Sequence, residues 1–254
     1  MKDKIVEALQ ALEQTRNLRI LYACESGSRA WGFPSPDSDY DVRFLYVKPL
    51  DWYLQLSTPK DVINQEIDAL LDISGWEIRK CMQLMVKSNA SPFEWMQSPI
   101  VYLGQPAFLD SFRDLAKDCF SPIASIHHYL GLAKKYHAAI STPAPAKLKS
   151  WFYALRASLS ARWIATHQSI PPLAFDALLP LIDDQPMLVQ RIRDLVRLKA
   201  TKKESYLFDG DAAILQIVEA SIHLSDQSRG TLSNGQPDMK ALNNFLQKVI
   251  KNDD

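Results

Sequence analysis

The sequence predicts an α+β protein, in which a small mixed sheet-and-helix domain at residues 1–120 precedes an all-helical domain at 121–254. Two segments near the N-terminus, 19–24 and 39–47, are rich in β-branched and aromatic residues, as strands are. From about residue 106 onward the apolar residues recur with helical spacing, and prolines interrupt the pattern. This change along the chain predicts two domains of different class.

Local patterns predict each element in order. Apolar residues spaced three and four apart predict the helices, whereas short apolar or alternating runs predict the strands. Ser74 is a natural N-cap for the helix that follows the last predicted strand region. The first domain is expected to contain a helix at 4–14, strands at 19–24 and 39–47, one strand or two tightly joined strands at 61–73, and a helix at 76–87. A long helix is expected at 147–167 in the second domain.

Composition excludes several classes of protein. The chain has 254 residues, which is enough to bury a core without disulfides or metal staples. Its 29 basic and 29 acidic residues cancel, which excludes a wholly basic nucleic-acid binder and an acidic disordered protein. Three widely spaced cysteines exclude a disulfide framework and a four-cysteine zinc site. The N-terminus lacks a secretion signal and no apolar run approaches about 18 residues, so we expect a cytoplasmic protein without a membrane span.

The first candidate site combines a Gly-Ser turn with two aspartates. Asp39 and Asp41 are two residues apart on a predicted strand, so their side chains project from the same face. Because two such carboxylates repel each other, they need a cation between them or solvent around both. Gly27 and Ser28 follow a buried strand and open a short helix, where backbone N–H groups can approach an anion. This order predicts a loop that holds nucleotide phosphates and aspartates that hold Mg²⁺.

Two-metal transfer also needs a carboxylate that orients or deprotonates the attacking hydroxyl. Asp72, at the end of the 61–73 strand region, is the first candidate for this third carboxylate, and Asp68 is the reserve. Arg29 and Arg43 flank the Asp-x-Asp motif. Each arginine could contact the nucleotide or could form an ion pair with an acidic residue of the motif.

The motif resembles the signature of DNA polymerase β-type nucleotidyltransferases. The stretch from residue 25 to residue 43, ESGSRAWGFPSPDSDYDVR, more closely resembles the YcgL-like predicted nucleotidyltransferases, a family with a branch associated with RNA repair. The resemblance continues at 71–80, 87–89, 94–102 and 149–156. It implies a catalytic nucleotidyltransferase palm with an attached helical domain that completes the nucleotide and acceptor cleft.

The second candidate site is a basic region of the helical half. Between Lys134 and Lys203 the chain has 12 basic and 4 acidic side chains. Such a run forms either solvated helix faces or a surface for polyphosphate or nucleic acid. Lys149, Tyr153 and Arg156 share a face of the long helix about 80° from its apolar stripe. This line predicts phosphate contacts by the cations and ribose or base contact by the tyrosine, whereas the alternative is an ordinary surface helix.

Four lysines complete the set of basic candidates. Lys199, Lys202 and Lys203 form a second group that could contact RNA or phosphate, or could be solvated surface. Lys80 lies on the helix after Asp72 and is a candidate to face the nucleotide.

Together these features predict a nucleotidyltransferase that needs Mg²⁺, with Mn²⁺ as a substitute. It would transfer NMP from an NTP, expected to be ATP, to a hydroxyl and release pyrophosphate. The acceptor is expected to be an RNA 3′ end. Two alternatives stay open: a catalytically silent nucleotide- or RNA-binding module, and a protein adenylyltransferase. A protein-interaction scaffold without nucleotide affinity is a third hypothesis.

Overall fold

The computed structural model describes residues 1–68, 70–142 and 144–251, apart from the side chains of residues 66 and 67. The helices are α1 (Lys2–Arg16), α2 (Gly27–Trp31), α3 (Leu50–Tyr53), α4 (Ile78–Val86), α5 (Ala90–Trp95), α6 (Pro106–Cys119), α7 (Pro122–Ile140), α8 (Leu148–His167), α9 (Pro186–Lys199), α10 (Ala212–Ser228) and α11 (Met239–Lys251). The strands are β1 (Arg19–Glu25), β2 (Tyr40–Val47), β3 (Val62–Asp68), β4 (Leu71–Glu77), β5 (Val101–Gly104), β6 (Ala146–Lys147) and β7 (Leu207–Phe208). Two 3₁₀ segments, Phe175–Ile182 and Arg229–Thr231, complete the described elements.

The sheet has the strand order β3-β4-β2-β1-β5. Strand β1 runs antiparallel to both β2 and β5, and β3 runs antiparallel to β4. Strands β2 and β4 are parallel neighbours. The sheet is therefore mixed, and its one parallel pair joins strands that are not consecutive in the chain.

One face of the sheet carries an apolar core. Helix α1 contributes Ile5, Leu9 and Leu12 to this core, together with alternate residues of the strands, such as Phe44 and Ile73. Because side chains alternate along a strand, the neighbouring odd-numbered residues of β2 and even-numbered residues of β4 project from the opposite face. This alternation decides where the acidic residues of the two strands lie.

The described chain divides into two compact units, a sheet unit and a helical unit. The sheet unit contains residues 1–27 and 39–120 and the chain from Gly235 onward. The helical unit contains residues 28–38 and 121–234. These bounds differ from the predicted domains, because residues 28–38 group with the helices and the last helix, α11, groups with the sheet. The fold is nevertheless α+β, as the sequence predicts.

Helices α7, α8 and α10 pack together in the helical unit. Its core combines residues of these helices with Phe33, which stacks on Phe152 of α8 with ring centroids 5.0 Å apart. Among the residues that the structure describes, no helix is both long and apolar enough to cross a bilayer.

Of the two forms predicted for residues 61–73, the structure has the two strands, which are antiparallel; residue 69 lies outside the described chain. The prediction that Ser74 caps a helix was wrong. Ser74 does not cap a helix, because it lies within β4 and its Oγ donates a hydrogen bond to Asn64 Oδ1 at 2.7 Å. The helix begins at Ile78, and Glu77 caps it by accepting hydrogen bonds from the N–H groups of its first turn. The predicted elements also did not include α5 and β5.

Candidate active site

Asp41 and Asp72 lie side by side on the parallel strands β2 and β4, where they are direct register partners. Both project from the sheet face opposite α1. Their side chains are 34% and 43% exposed, so solvent and ligands can reach both carboxylates. The structure thus brings together two of the three predicted carboxylates, although they come from strands that are not consecutive in the chain.

Arg43 lies between these two carboxylates. Its Nη2 is 2.9 Å from Asp41 Oδ1 and 2.9 Å from Asp72 Oδ2. Arg43 is two residues after Asp41 on β2, so the alternation of the strand places it on the same face. The guanidinium offsets the repulsion between the two carboxylates and occupies the position that a bound cation would need. Of the two roles open to Arg43, the structure shows the ion pair.

Three consecutive residues, Glu25, Ser26 and Gly27, position Asp41. Glu25 Oε1 accepts a hydrogen bond from the Asp41 N–H at 2.9 Å, and the Ser26 N–H donates to the Asp41 carbonyl oxygen at 2.8 Å. Gly27 has φ +62°, and a Cβ there would lie 2.2 Å from Asp41 Oδ2. The glycine is therefore needed both for its backbone conformation and for the space that the Asp41 carboxylate occupies.

Glu25 is a site residue that the sequence analysis did not single out. Its side chain is fully buried at the end of β1, and its Oε2 accepts a hydrogen bond from the hydroxyl of Tyr102 on β5. Buried carboxylates are costly without hydrogen-bond partners, so an acidic residue that directly ends an apolar strand, as in RILYACE, is the signal that could have identified it. The neighbouring Cys24 is no nucleophile at neutral pH, because burial raises the pKa of its thiol to about 12.

Asp39 and Asp68 lie differently from the other two aspartates. Asp39 is exposed and immediately precedes β2, so it is not on the strand itself. Asp68 ends β3 and its Oδ2 is 2.5 Å from the Lys4 ammonium of α1, the helix that packs on the opposite face of the sheet. Asp68 and Asp72 lie on different strands, which are antiparallel, so Asp68 does not share a face with Asp72 through the alternation of one strand.

The described residues contain no group of three or more His, Cys, Asp and Glu side chains that could hold a metal ion. The predicted three-aspartate cluster is therefore not formed in this structure. The Asp41 and Asp72 pair still fits Mg²⁺, which binds carboxylate oxygens and commonly takes only one or two of them, together with waters and substrate phosphates. The position between the two carboxylates already holds a cation, the Arg43 guanidinium.

Lys80 is not brought near these carboxylates. It lies in the first turn of α4, after the end of β4 that is opposite to Asp72. The six steps from Leu71 to Glu77, at about 3.3 Å each, separate the two ends of β4 by roughly 20 Å. Lys80 Nζ instead forms an ion pair with Asp61 Oδ1 at 3.2 Å.

Within the helical unit, the predicted basic face of α8 packs against the segment that follows Gly27. The Arg156 guanidinium lies 4.2 Å from the ring centroid of Trp31, and the Tyr153 ring contacts the same tryptophan edge-on at 5.2 Å. Arg156 is only 5% exposed, so its guanidinium is a packing group and not an open phosphate ligand. Lys149 Nζ is 2.5 Å from Glu204 Oε2.

Ser28 and Arg29 belong to the same segment. Ser28 is buried, and its Oγ donates to Ser38 Oγ at 3.2 Å. Arg29 Nη2 donates to the Ser38 carbonyl oxygen at 2.7 Å. Both predicted nucleotide-binding side chains therefore also hold the turn that leads from α2 to β2.

Fewer basic side chains of the 134–203 run are available to bind phosphate or RNA than its charge implies. Lys199 was predicted as a surface contact, but it is 2% exposed and donates to Ser35 Oγ at 3.0 Å. Burial lowers the pKa of its ammonium group. Further basic residues of the run form ion pairs with Asp or Glu: Lys134, Lys149, Arg191, Arg193 and Arg197. Lys203 is exposed, and Lys202 is partly exposed with its ammonium over the Tyr206 ring.

Two known proteins are similar to this chain to very different degrees. The Uncharacterized protein YcgL of Bacillus subtilis (strain 168) is 38% identical over 252 residues, which cover 99% of this chain and 97% of that protein. A crystal structure described as a nucleotidyltransferase-like protein from Exiguobacterium sibiricum 255-15 aligns with a TM-score of 0.30 and 11% identity, covering 98% of this chain and 81% of that one.

A family match extends over almost the whole chain. Residues 1–248 match the family described as RlaP, the RNA repair pathway DNA polymerase beta family. The match includes β1, the Gly-Ser turn, the Asp-x-Asp strand and the helices that follow. This chain belongs to the RNA repair pathway DNA polymerase beta family, as its paired strand carboxylates and the preceding glycine turn lead one to expect.

Proposed function

We propose that the protein is a Mg²⁺-dependent nucleotidyltransferase that transfers NMP from an NTP, ATP in the first instance, to a hydroxyl at an RNA 3′ end. The observation that carries this proposal is the register pairing of Asp41 with Asp72 on one accessible sheet face. The family is named for DNA polymerase beta, and nucleotidyltransferases of that type usually use divalent metals. A hard cation bound by two carboxylates suits that chemistry.

The reaction is an in-line displacement at the α-phosphorus. The acceptor oxygen forms a bond to this phosphorus while the bond to the bridging α–β oxygen breaks, and the leaving pyrophosphate takes that electron pair. Bound metal would offset the charge that develops on the phosphate oxygens. No covalent enzyme intermediate is required, which agrees with the buried thiols of all three cysteines.

We assign a part in this scheme to five residues of the chain. Asp41 and Asp39 would hold the metal, and Asp72 would share it and accept the proton of the acceptor hydroxyl. Gly27 leaves room for the Asp41 carboxylate. Ser28, the next residue in the chain, contacts a nucleotide phosphate.

The choice of RNA as acceptor rests on the family description and on the exposed basic residues of the helical unit. Binding of RNA to such residues releases counterions, so the affinity should fall steeply with salt, by a slope of about 0.7 per neutralised phosphate of a single strand. Because Lys199 is buried, the test is the double variant Lys202→Gln, Lys203→Gln. It should lower the salt slope and leave NTP binding unchanged.

The activity test is incubation with each labelled NTP, with Mg²⁺ or Mn²⁺, and with tRNA, mixed RNA, proteins and small hydroxyl compounds as acceptors. Asp72→Asn should abolish label transfer, whereas Asp68→Asn, a change of the same size on the same sheet, should retain it. Label only on protein would indicate a protein adenylyltransferase. Tight Mg²⁺-dependent NTP binding without pyrophosphate release would indicate a silent binding module.

A further inference from the structure

We infer that Glu25, together with Tyr102, is a positioning residue that holds the metal-binding carboxylate Asp41 in place. The inference rests on the proposed function, because it takes Asp41 to be a metal ligand. The last register pair of β1 and β2 joins Glu25 to Val42, and the next two residues are Ser26 and Asp41.

In a regular antiparallel ladder, Asp41 and Ser26 would exchange two backbone hydrogen bonds. The Ser26 N–H does donate to the Asp41 carbonyl oxygen at 2.8 Å. The N–H of Asp41, however, donates to the Glu25 side chain, at 2.9 Å from Oε1. The carboxylate thus continues the ladder for one residue beyond the end of β1, and Asp41 is the residue that this extra bond holds.

The backbone of Glu25 is held by residues that precede β5, the strand that lies next to β1 on the side away from β2. Its N–H donates to the carbonyl oxygen of Ile100 at 2.9 Å, and its own carbonyl oxygen accepts from Ser98 Oγ at 2.6 Å. The Tyr102 hydroxyl then donates to the second carboxylate oxygen, Oε2. Residues before and within β5 therefore orient Glu25, and Glu25 in turn orients Asp41.

The hydrogen bonds of the Glu25 carboxylate are shielded from water. Glu25 is 0% exposed and Tyr102 is 9% exposed, so water cannot replace either bond freely. Residues that orient metal ligands through hydrogen bonds typically change metal affinity about 10- to 100-fold when they are removed. Removal of the Glu25 acceptor should accordingly weaken metal binding without a change in any ligand.

The test compares variants that keep or remove the acceptor. Glu25→Gln keeps an oxygen for the Asp41 N–H, and its amide can donate to the Tyr102 oxygen. Glu25→Leu keeps the size but removes the acceptor, and Tyr102→Phe removes only the second bond. Tyr22→Phe is a matched control, because the buried Tyr22 hydroxyl donates to the Trp95 carbonyl oxygen at 2.8 Å, a hydrogen bond that involves neither Glu25 nor Asp41. Glu77→Gln is the control for loss of a buried carboxylate.

Two measurements are made on the full chain: hydrogen exchange of the Asp41 amide by NMR, and Mn²⁺ affinity by calorimetry without nucleotide. We expect Glu25→Leu to speed the exchange and to weaken Mn²⁺ binding about 10- to 100-fold. Tyr102→Phe should give a smaller change in the same direction, and Glu25→Gln should stay within a few-fold of the wild type. Both controls should match the wild type. If Glu25→Leu does not fold, the Tyr102→Phe and Tyr22→Phe pair makes the same comparison.

The outcomes separate this inference from the proposed function. An unchanged Asp41 exchange rate, or an unchanged Mn²⁺ affinity despite faster exchange, in the Glu25→Leu variant overturns the positioning role. Equal losses in Tyr102→Phe and Tyr22→Phe overturn it as well. If the wild type binds no Mn²⁺ while Glu25→Leu still speeds Asp41 exchange, the proposed function fails and the structural hold on Asp41 stands.

Discussion

Both ends of the parallel pair formed by β2 and β4 carry acidic residues, but these residues differ in their exposure and in their partners. At one end, Asp41 and Asp72 keep accessible side chains and share a single guanidinium. At the other end, Glu77 is 1% exposed; its Oε1 accepts from the Tyr53 hydroxyl, and its Oε2 accepts from two backbone N–H groups of α4.

The two ends differ in how fully hydrogen bonds engage their carboxylates. Glu77 satisfies the first turn of a helix, a role worth about 1 kcal/mol, and both of its oxygens are already engaged. Asp41 and Asp72 instead have accessible side chains and share the Arg43 guanidinium, at the position where we propose that a metal ion binds. Acidic character alone would not have distinguished the two ends.

Loss of a carboxylate at the accessible end should give the largest effect. Asp41→Asn removes the charge of a proposed metal ligand and should lower the transfer rate on the order of 10³-fold, about 4 kcal/mol of transition-state stabilisation. Glu77→Gln should change the rate little, because Glu77 lies at the opposite end of the strand pair. The measurement is single-turnover release of pyrophosphate by both variants. Full activity of Asp41→Asn would refute the assignment.

Crowding the Asp41 carboxylate should have the next largest effect. Gly27→Ala places a Cβ 2.2 Å from Asp41 Oδ2, so the carboxylate must move. A displacement of this order should lower the rate on the order of 10²-fold. Gly32→Ala is the matched control, because Gly32 also has positive φ but has no atom within 4 Å of the added methyl group. Both variants should lose about 1–2 kcal/mol of folding stability to backbone strain. Equal rates in the two variants would contradict the role of the close approach.

Removal of Arg43, the cation that Asp41 and Asp72 share, should lower folding stability by an amount that depends on whether Mg²⁺ is present. Arg43→Gln leaves Asp41 and Asp72 to repel each other, which should cost about 1 kcal/mol without metal. Added Mg²⁺ should then raise the Tm more in this variant than in the wild type, since the ion no longer competes with a guanidinium. Lys80→Gln, which breaks the ion pair with Asp61 at the far end, should show the Mg²⁺ response of the wild type. Equal Mg²⁺ responses in all three proteins would argue against a metal at the carboxylate pair.

The smallest expected effect concerns folding stability, to which Glu77 and Glu204 should contribute with opposite dependences on pH. Burial raises the pKa of Glu77 above the ordinary value of 4.5, although hydrogen bonds from Tyr53 and the α4 backbone oppose it. Burial also acts to raise the pKa of Glu204, but hydrogen bonds from Lys149 and Ser38 and nearby lysine charge outweigh it, so that pKa lies below 4.5. The contribution of Glu77 to stability is therefore present below pH 4.5 and lost as the pH rises through its folded pKa. That of Glu204 is present above pH 4.5 and lost as the pH falls through its folded pKa.

Urea unfolding of the wild type and the two glutamine variants across this range checks the signs. Relative to the wild type, Glu77→Gln should gain stability as the pH rises, and Glu204→Gln should gain stability as it falls. We expect differences of about 1 kcal/mol or less. Slopes of the same sign in both variants would contradict the environments assigned to the two glutamates.

Part of the fold could be predicted from patterns in consecutive residues of the sequence. The alternation of β2, the apolar run of β1 and the long helix α8 are visible in consecutive residues, and the α+β class follows from them. The placement of Asp72 beside Asp41 depends instead on a parallel pairing between distant strands, which periodicity alone does not specify. The position of Asp72 was therefore a choice among acidic residues, and its role as a ligand stays a prediction.

The parts that escaped prediction depend on partners far away in the chain. Lys199 ends a basic helix and looked solvent-exposed, but its hydrogen-bond partner Ser35 is 164 residues away. Glu25 is buried at the end of β1, and its hydrogen-bond partner Tyr102 is 77 residues away. In each case a charged side chain was buried by a contact that no local pattern encodes.

The placement of α11 has a consequence for the synthesis of the protein on the ribosome. The Gln236 N–H donates to the Asp118 carbonyl oxygen at 2.8 Å, and Arg19 donates to the Val249 carbonyl oxygen at 3.0 Å. These contacts complete the sheet unit, yet residues 121–234 are translated before α11 exists. The helical unit can thus fold while the sheet unit still lacks a helix, and a ribosome that stalls after residue 234 would display a sheet unit without α11 to chaperones and proteases.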